Sequence, residues 1–127
     1  KIAKEKAGII KPNIPCVTIG NHPEEIKNIL ISECARKNTE LVETKEGNPW
    51  LKGVNPALLG ETQFQNACLA ATAIVVLTGD LHACQGVRNG IEKTKWHGRN
   101  QIIQKEPLVV FDVAHNESGI ASFINLI

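Results

Sequence analysis

The sequence contains no methionine and no tyrosine, and only three Phe and two Trp. So few aromatic rings argue against a base-stacking platform for single-stranded nucleic acid. Neither charge is in excess, since 14 Lys and Arg stand against 13 Asp and Glu in 127 residues. That balance leaves no electrostatic footprint for nucleic acid or for an acidic membrane surface. No apolar run approaches about 18 residues and no leader-like segment is seen, so neither a membrane span nor export is expected. The four cysteines, Cys16, Cys34, Cys68 and Cys84, form no CxxC pair, so neither a zinc knuckle nor a redox dithiol is indicated. Each lies in apolar sequence, where a free thiol packs as a small hydrophobe. A reducing, cytoplasmic setting is the simplest expectation. Without methionine there is no initiator; the chain starts inside a helical pattern and stops at "SGIASFINLI", where that pattern has no C-cap. An internal piece of a longer protein is therefore expected.

What is present is a regular alternation. Hydrophobic residues make up 43% of the chain, enough for one ordinary core. Residues 1–7 read as the end of a helix with Gly8 as its stop. "IPCVTIG" at 14–20 is a short apolar run between Pro and Gly, hence a buried strand. Residues 23–38 open with Pro23, Glu24 and Glu25, which suit a helix N-terminus, and Ile26, Ile29, Leu30 and Cys34 form an inner stripe. "TELVE" at 39–43 is a second strand. Residues 44–60 are rich in Gly and Pro and read as loop, with room for one short edge strand. "TQFQNACLAATAIVVL" at 62–77 is the strongest helix, and its small residues allow close packing on a sheet. A more polar helix follows at 83–93, then strands at 101–104 and 107–113, and a last helix from about 117. The fold class expected is α/β with a largely parallel sheet. A domain boundary is expected near Lys93–Gly98, where helix gives way to a strand pair.

Four stretches carry possible chemistry. In "EKAGII", Lys6 stands at the entrance to an apolar segment; read alone, it snorkels. In "LLGETQFQNA" at 58–67, Thr62 is a reasonable N-cap, while Gln63 and Asn66 lie three apart on one helix face. Their amides either reach the edge of a nucleobase or ribose, or are ordinary solvated groups of a first turn. In "WHGRN" at 96–100, Gly98 permits close approach to a ligand and Arg99 offers a planar fork that fits phosphate. Taken alone, an arginine after glycine is more often a plain surface residue. In "VVFDVAHNESG" at 109–119, Asp112 ends a strand, where α/β sheets bind ligands. His115 and Asn116 precede a helix N-terminus that favours anions. The same turn also reads as a plain cap, with Asn116 as N-cap and Glu117 in the first turn.

Taken in order, "IAKEKAGIIKPNIPCV", "LLGETQFQNACLA", "WHGRNQII" and "FDVAHN" make a set that resembles the folylpolyglutamate synthase/dihydrofolate synthase family, within the ATP-dependent Mur ligase superfamily. The resemblance covers nearly the whole chain and is weakest across 38–57. It implies the second half of a central ATPase domain at 1–94 and the start of a Rossmann-like C-terminal domain at 95–127, with the active site between them. It also implies an amide ligation, in which ATP phosphorylates a carboxylate of dihydropteroate or a folate and the amine of L-glutamate displaces phosphate.

By the same resemblance Lys6 matches a lysine carbamylated by carbon dioxide, whose carbamate helps hold Mg2+, a hard cation with oxygen ligands. Desolvation lowers a lysine's pKa and supplies the neutral amine that this addition needs. Asn66, Arg99 and Asp112 match nucleotide contacts, with Gln63 and Asn116 beside them, and His115 is placed with Lys6 among the catalytic residues. The partners implied are ATP, L-glutamate and dihydropteroate or folate, on a monomeric enzyme. His97 and Glu117 stand where the family commonly has Pro, and Asn13 where it has Gly; Asn tolerates positive φ, so that turn should survive. A phosphate-binding Gly-rich Lys-Ser loop belongs upstream, as do the other metal ligands and the folate-binding residues, so this piece alone is expected to be inactive. Two further readings stay open: a Mur-type ligase of muramyl-peptide or cyanophycin type, and a non-catalytic nucleotide-binding module.

Overall fold

Proline and glycine set most element ends, and the main chain shows how. The computed structural model describes residues 1–44, 48, 51–80 and 84–127. They fall into two compact units, Lys1–Asn48 and Pro49–Ile127.

The first unit begins with α1 (Ile2–Ala7), β1 (Cys16–Ile19), α2 (Glu24–Arg36) and β2 (Leu41–Thr44). Gly8 ends α1 in a right-handed conformation, φ −59°, and not in the left-handed one common for a C-terminal glycine. The last turn tightens instead, with Gly8 N–H to Glu5 O at 3.2 Å and Ile10 N–H to Ala7 O at 3.0 Å. Asn13 then sits at φ 59°, as its tolerance of the left-handed region leads one to expect. Its N–H donates to Lys37 O at 3.2 Å, and Asn38 Nδ2 donates to its Oδ1 at 3.1 Å. Pro23 is the N-cap of α2, with Glu24 and Glu25 at the positive end of the helix dipole. β1 and β2 run parallel, with Cys16 opposite Leu41 and Ile19 opposite Thr44. Ala7, Ile10 and Cys34 make the core, packed by Cys16, Ile29, Leu30 and Leu41. Burial, with Cys16 beside it, pushes the Cys34 thiol up, so it stays protonated and packs as a small apolar group.

The second unit holds α3 (Glu61–Thr78), α4 (Cys84–Lys93), β3 (Gln101–Gln104), β4 (Val109–Phe111) and α5 (Glu117–Ile124). Gly60 is the N-cap of α3, at φ 99° and ψ 154°, and Thr62 lies inside the first turn. The extended conformation of Gly60 is one only glycine adopts freely, so the helix starts two residues earlier than a Thr cap would place it. Cys68 and Ala71 on α3 are buried with Leu51 against Val87 and Ile91 of α4. The small-residue face of α3 thus meets a helix here, where a sheet was expected. β3 and β4 pair antiparallel, Gln101 opposite Phe111, with an irregularity between Ile102 and Gln104. Parallel pairing is therefore confined, among the described residues, to β1 and β2. The edge strand allowed within 44–60 falls partly on residues 45–47 and 49–50, outside the described residues. The boundary expected near Lys93–Gly98 lies inside the second unit.

Among the described residues no helix is long and apolar enough to cross a membrane.

Candidate functional site

The first two turns of α3 present Gln63 and Asn66 on one face, and Asn66 Nδ2 donates to Gln63 Oε1 at 3.3 Å. Both line a cavity of about 400 Å³ whose walls include Ala67, Ile91, Trp96 and Arg99. Most of that lining is apolar, with a few polar groups converging on it, which is the make-up of a small-molecule site. Trp96 is 66% exposed and also borders a second cavity of about 400 Å³, shared with Arg99, His97 and Asn100. Gln63, Asn66 and Arg99, which are 36 residues apart at the extremes, are thus brought together. Trp96 gave no separate signal in the sequence; its exposure beside polar groups is visible only here.

Asp112 is half-buried and both its oxygens are engaged. Oδ2 accepts from Asn100 N–H at 2.8 Å and Oδ1 from Ala114 N–H at 2.7 Å. The carboxylate therefore braces two turns. It has about four lone-pair sites, so two remain for a ligand hydroxyl. Asp112→Asn would turn an amide N–H₂ toward one of those backbone donors. The expected loss is about 1–3 kcal/mol of stability, read as a lower midpoint in urea denaturation. A midpoint equal to wild type would mean that the two bonds contribute nothing.

His115 Nδ1 lies 3.2 Å from Val113 O. A carbonyl can only accept, so Nδ1 carries a proton in this contact, and Nε2 is outside it. Asn116 is the N-cap of α5, its Oδ1 accepting from Gly119 N–H at 2.8 Å. The capping reading of this turn is thus observed for Asn116, and such a cap contributes about 1 kcal/mol. Capping uses Oδ1 and leaves the Nδ2 donors outside that bond. Gly98 is buried at φ 75°, and a Cβ there would meet Val113 Cγ1 at 2.7 Å. Its smallness serves packing on the β4 end, where the sequence had suggested approach to a ligand.

Lys6 belongs to the first unit, in the last turn of α1. It borders an apolar cavity of about 400 Å³ with Ile2, Cys16, Thr18 and His22, and the residue as a whole is exposed. An exposed lysine at an apolar cavity suits a stem laid on apolar surface with its head in water. Thr18 Oγ1 and His22 Nε2 form a 2.7 Å hydrogen bond at the same cavity. Among the described residues no cluster of three or more His, Cys, Asp or Glu could hold a metal ion. The Mg2+ implied by the resemblance is therefore not caged by these side chains alone, and a carbamate on Lys6 would supply one ligand.

No family model matches the chain. It is 32% identical over 142 residues to the dihydrofolate synthase/folylpolyglutamate synthase of Bacillus subtilis (strain 168), covering 94% of this chain and 33% of the relative. It is 35% identical over 144 residues to a probable dihydrofolate synthetase of Schizosaccharomyces pombe, covering 98% and 34%. It superimposes on an FPGS–AMPPCP–folate complex with a TM-score of 0.82 at 25% identity, over 98% of this chain and 36% of that one. The fold is accordingly that of the α/β Mur-type ligases. The chain belongs to the folylpolyglutamate synthase/dihydrofolate synthase family and spans about a third of the length of the curated relatives it matches.

Proposed function

We propose that this chain supplies part of the nucleotide site of an ATP-dependent ligase that joins L-glutamate to dihydropteroate or a folate. The observation that carries the reading is the convergence of Gln63, Asn66 and Arg99 on one apolar cavity. One similar structure is a complex of FPGS with AMPPCP and folate, and the relatives carry synthase names.

In this reading residues 1–94 belong to the central ATPase domain and 95–127 to the C-terminal domain. The amides of Gln63 and Asn66 meet the edge of the base or ribose, and the two spare acceptor sites of Asp112 meet ribose hydroxyls. The guanidinium of Arg99 fits phosphate oxygens two at a time. Asn116 Nδ2 and the N-terminus of α5 favour the same anion. His115, with Nδ1 tied to Val113, presents Nε2 to take a proton.

The reaction proceeds in two displacements. A carboxylate oxygen of the pterin substrate bonds to the γ-phosphorus as the bond to ADP breaks. The glutamate amine then attacks the acyl carbon, inorganic phosphate leaves and the amine gives up a proton. Little covalent work falls to the protein in the first step, so positioning and charge stabilisation dominate. Mg2+, with Lys6 carbamate as one of its ligands, would offset the phosphate charge.

The test uses a protein of full family length that carries this chain. ADP release is followed with glutamate and either dihydropteroate or tetrahydrofolate. Release that requires both the amine and a pterin is expected. Release supported by another carboxylate acceptor and not by any pterin would move the assignment to a different Mur-type ligase. Absence of ATP binding by the folded protein would overturn the nucleotide reading.

A further inference from the structure

Asn100 is nearly buried, 8% exposed, in a turn at φ 46°. Asn and Gly are the residues that bear this left-handed conformation most easily. Three segments meet on it. Its N–H donates to Asp112 Oδ2 at 2.8 Å. Its side-chain Nδ2 donates to Leu59 O at 2.7 Å, across 41 residues of sequence. A Cβ at Gly60, the next residue after Leu59, would lie 3.0 Å from Asn100 Nδ2, so the asparagine amide would have to give by a few tenths of an ångström.

The consequences run in both directions along the chain. Gly60 caps α3, and its carbonyl accepts from Gln63 N–H and Phe64 N–H at 3.1 Å each. Holding Leu59 therefore holds the first turn of α3, which carries Gln63 and leads to Asn66. On its own side, Asn100 directly follows Arg99. A hydroxyl pair, Thr62 Oγ1 with Ser122 Oγ at 2.8 Å, ties the same first turn to α5. Both links join residues on opposite sides of the boundary expected at 94/95.

We propose that Asn100 is a positioning residue of the nucleotide site: its side-chain bond to Leu59 fixes the start of α3, with Gln63 and Asn66, against the Arg99 wall of the cavity. The inference rests on the reading that this cavity takes the nucleotide. A bond that only sets the spacing of two binding walls acts equally on ground state and transition state. Its loss raises the KM for ATP and leaves kcat in place.

Asn100→Gly isolates the effect, because glycine keeps the left-handed turn and the N–H to Asp112 while removing the side-chain donor. In the protein of full family length it should raise the KM for ATP about tenfold, with kcat and the KM for glutamate within about twofold of wild type. Asn100→Asp keeps the backbone conformation but turns a carboxylate oxygen toward Leu59 O, and should raise the KM for ATP further. Denaturation midpoints are measured in parallel. A KM for ATP within twofold of wild type in both variants overturns the proposal, whether or not stability falls. So does an equal rise in the KM values for ATP and glutamate, which marks general distortion. A wild-type protein that does not bind ATP sinks the nucleotide reading itself, which is a different result from unaffected variants of a wild type that binds it.

Discussion

Lys6→Ala in the protein of full family length should lower kcat for glutamate-dependent ADP release by about 100-fold or more. That is at least the loss usual for disturbing a metal-site ligand or its support. Lys6 is exposed in the last turn of α1. Alanine is the better helix former there, so the denaturation midpoint should hardly move. Activity lost without stability lost is the signature of a chemical role. In the first unit Lys6 is exposed beside an apolar cavity, and the experiment decides between the two readings. If the lysine acts as a carbamate, the missing element is a negative oxygen ligand. A short-chain carboxylic acid added to Lys6→Ala should then recover part of the rate. A kcat within threefold of wild type would leave snorkelling as the whole account of Lys6.

Gly98→Ala should destabilise the fold by about 3 kcal/mol, from two causes that add. A left-handed conformation costs an L-residue about 1–2 kcal/mol, and Gly98 is held at φ 75°. The new methyl would also lie 2.7 Å from Val113 Cγ1 and 3.4 Å from Phe111 Cε1; overpacking of this kind costs about 1–3 kcal/mol. The glycine cannot easily move away. Its O accepts from Val113 N–H at 2.9 Å and its N–H donates to Gln101 Oε1 at 3.1 Å. Adding Val113→Ala to Gly98→Ala removes the clash and leaves the backbone cost, so the double variant should regain part of the loss. A destabilisation below about 1 kcal/mol for the single variant would show that the turn can relax, contrary to both arguments.

Much of the local structure was legible in the sequence because its causes are local. The Pro-Glu-Glu start of α2, the asparagine at the Asn13 turn, and the Asn116 cap three residues before Gly119 all act within one turn of chain. Periodicity located α3 within a residue at each end. It did not say what α3 would pack against, since a face of small residues suits a helix as well as a sheet. Nor did it find the cap, because Gly60 takes its role from an extended conformation and Thr62 is drawn to Ser122 across 60 residues.

The order of motifs was sufficient to point to the family, to which the relatives assign the chain. Gln63, Asn66 and Arg99 were named in sequence as separate hints, and only folding places them on one cavity. By itself the sequence determined the elements, their turns and the kinds of side chain available, all set by neighbours along the chain. The tertiary structure alone decided that Asp112 braces two turns, that Gly98 yields to Val113, and that Asn100 holds Leu59. Each of those depends on a partner that chain folding, and not chain order, brings within hydrogen-bond or van der Waals reach.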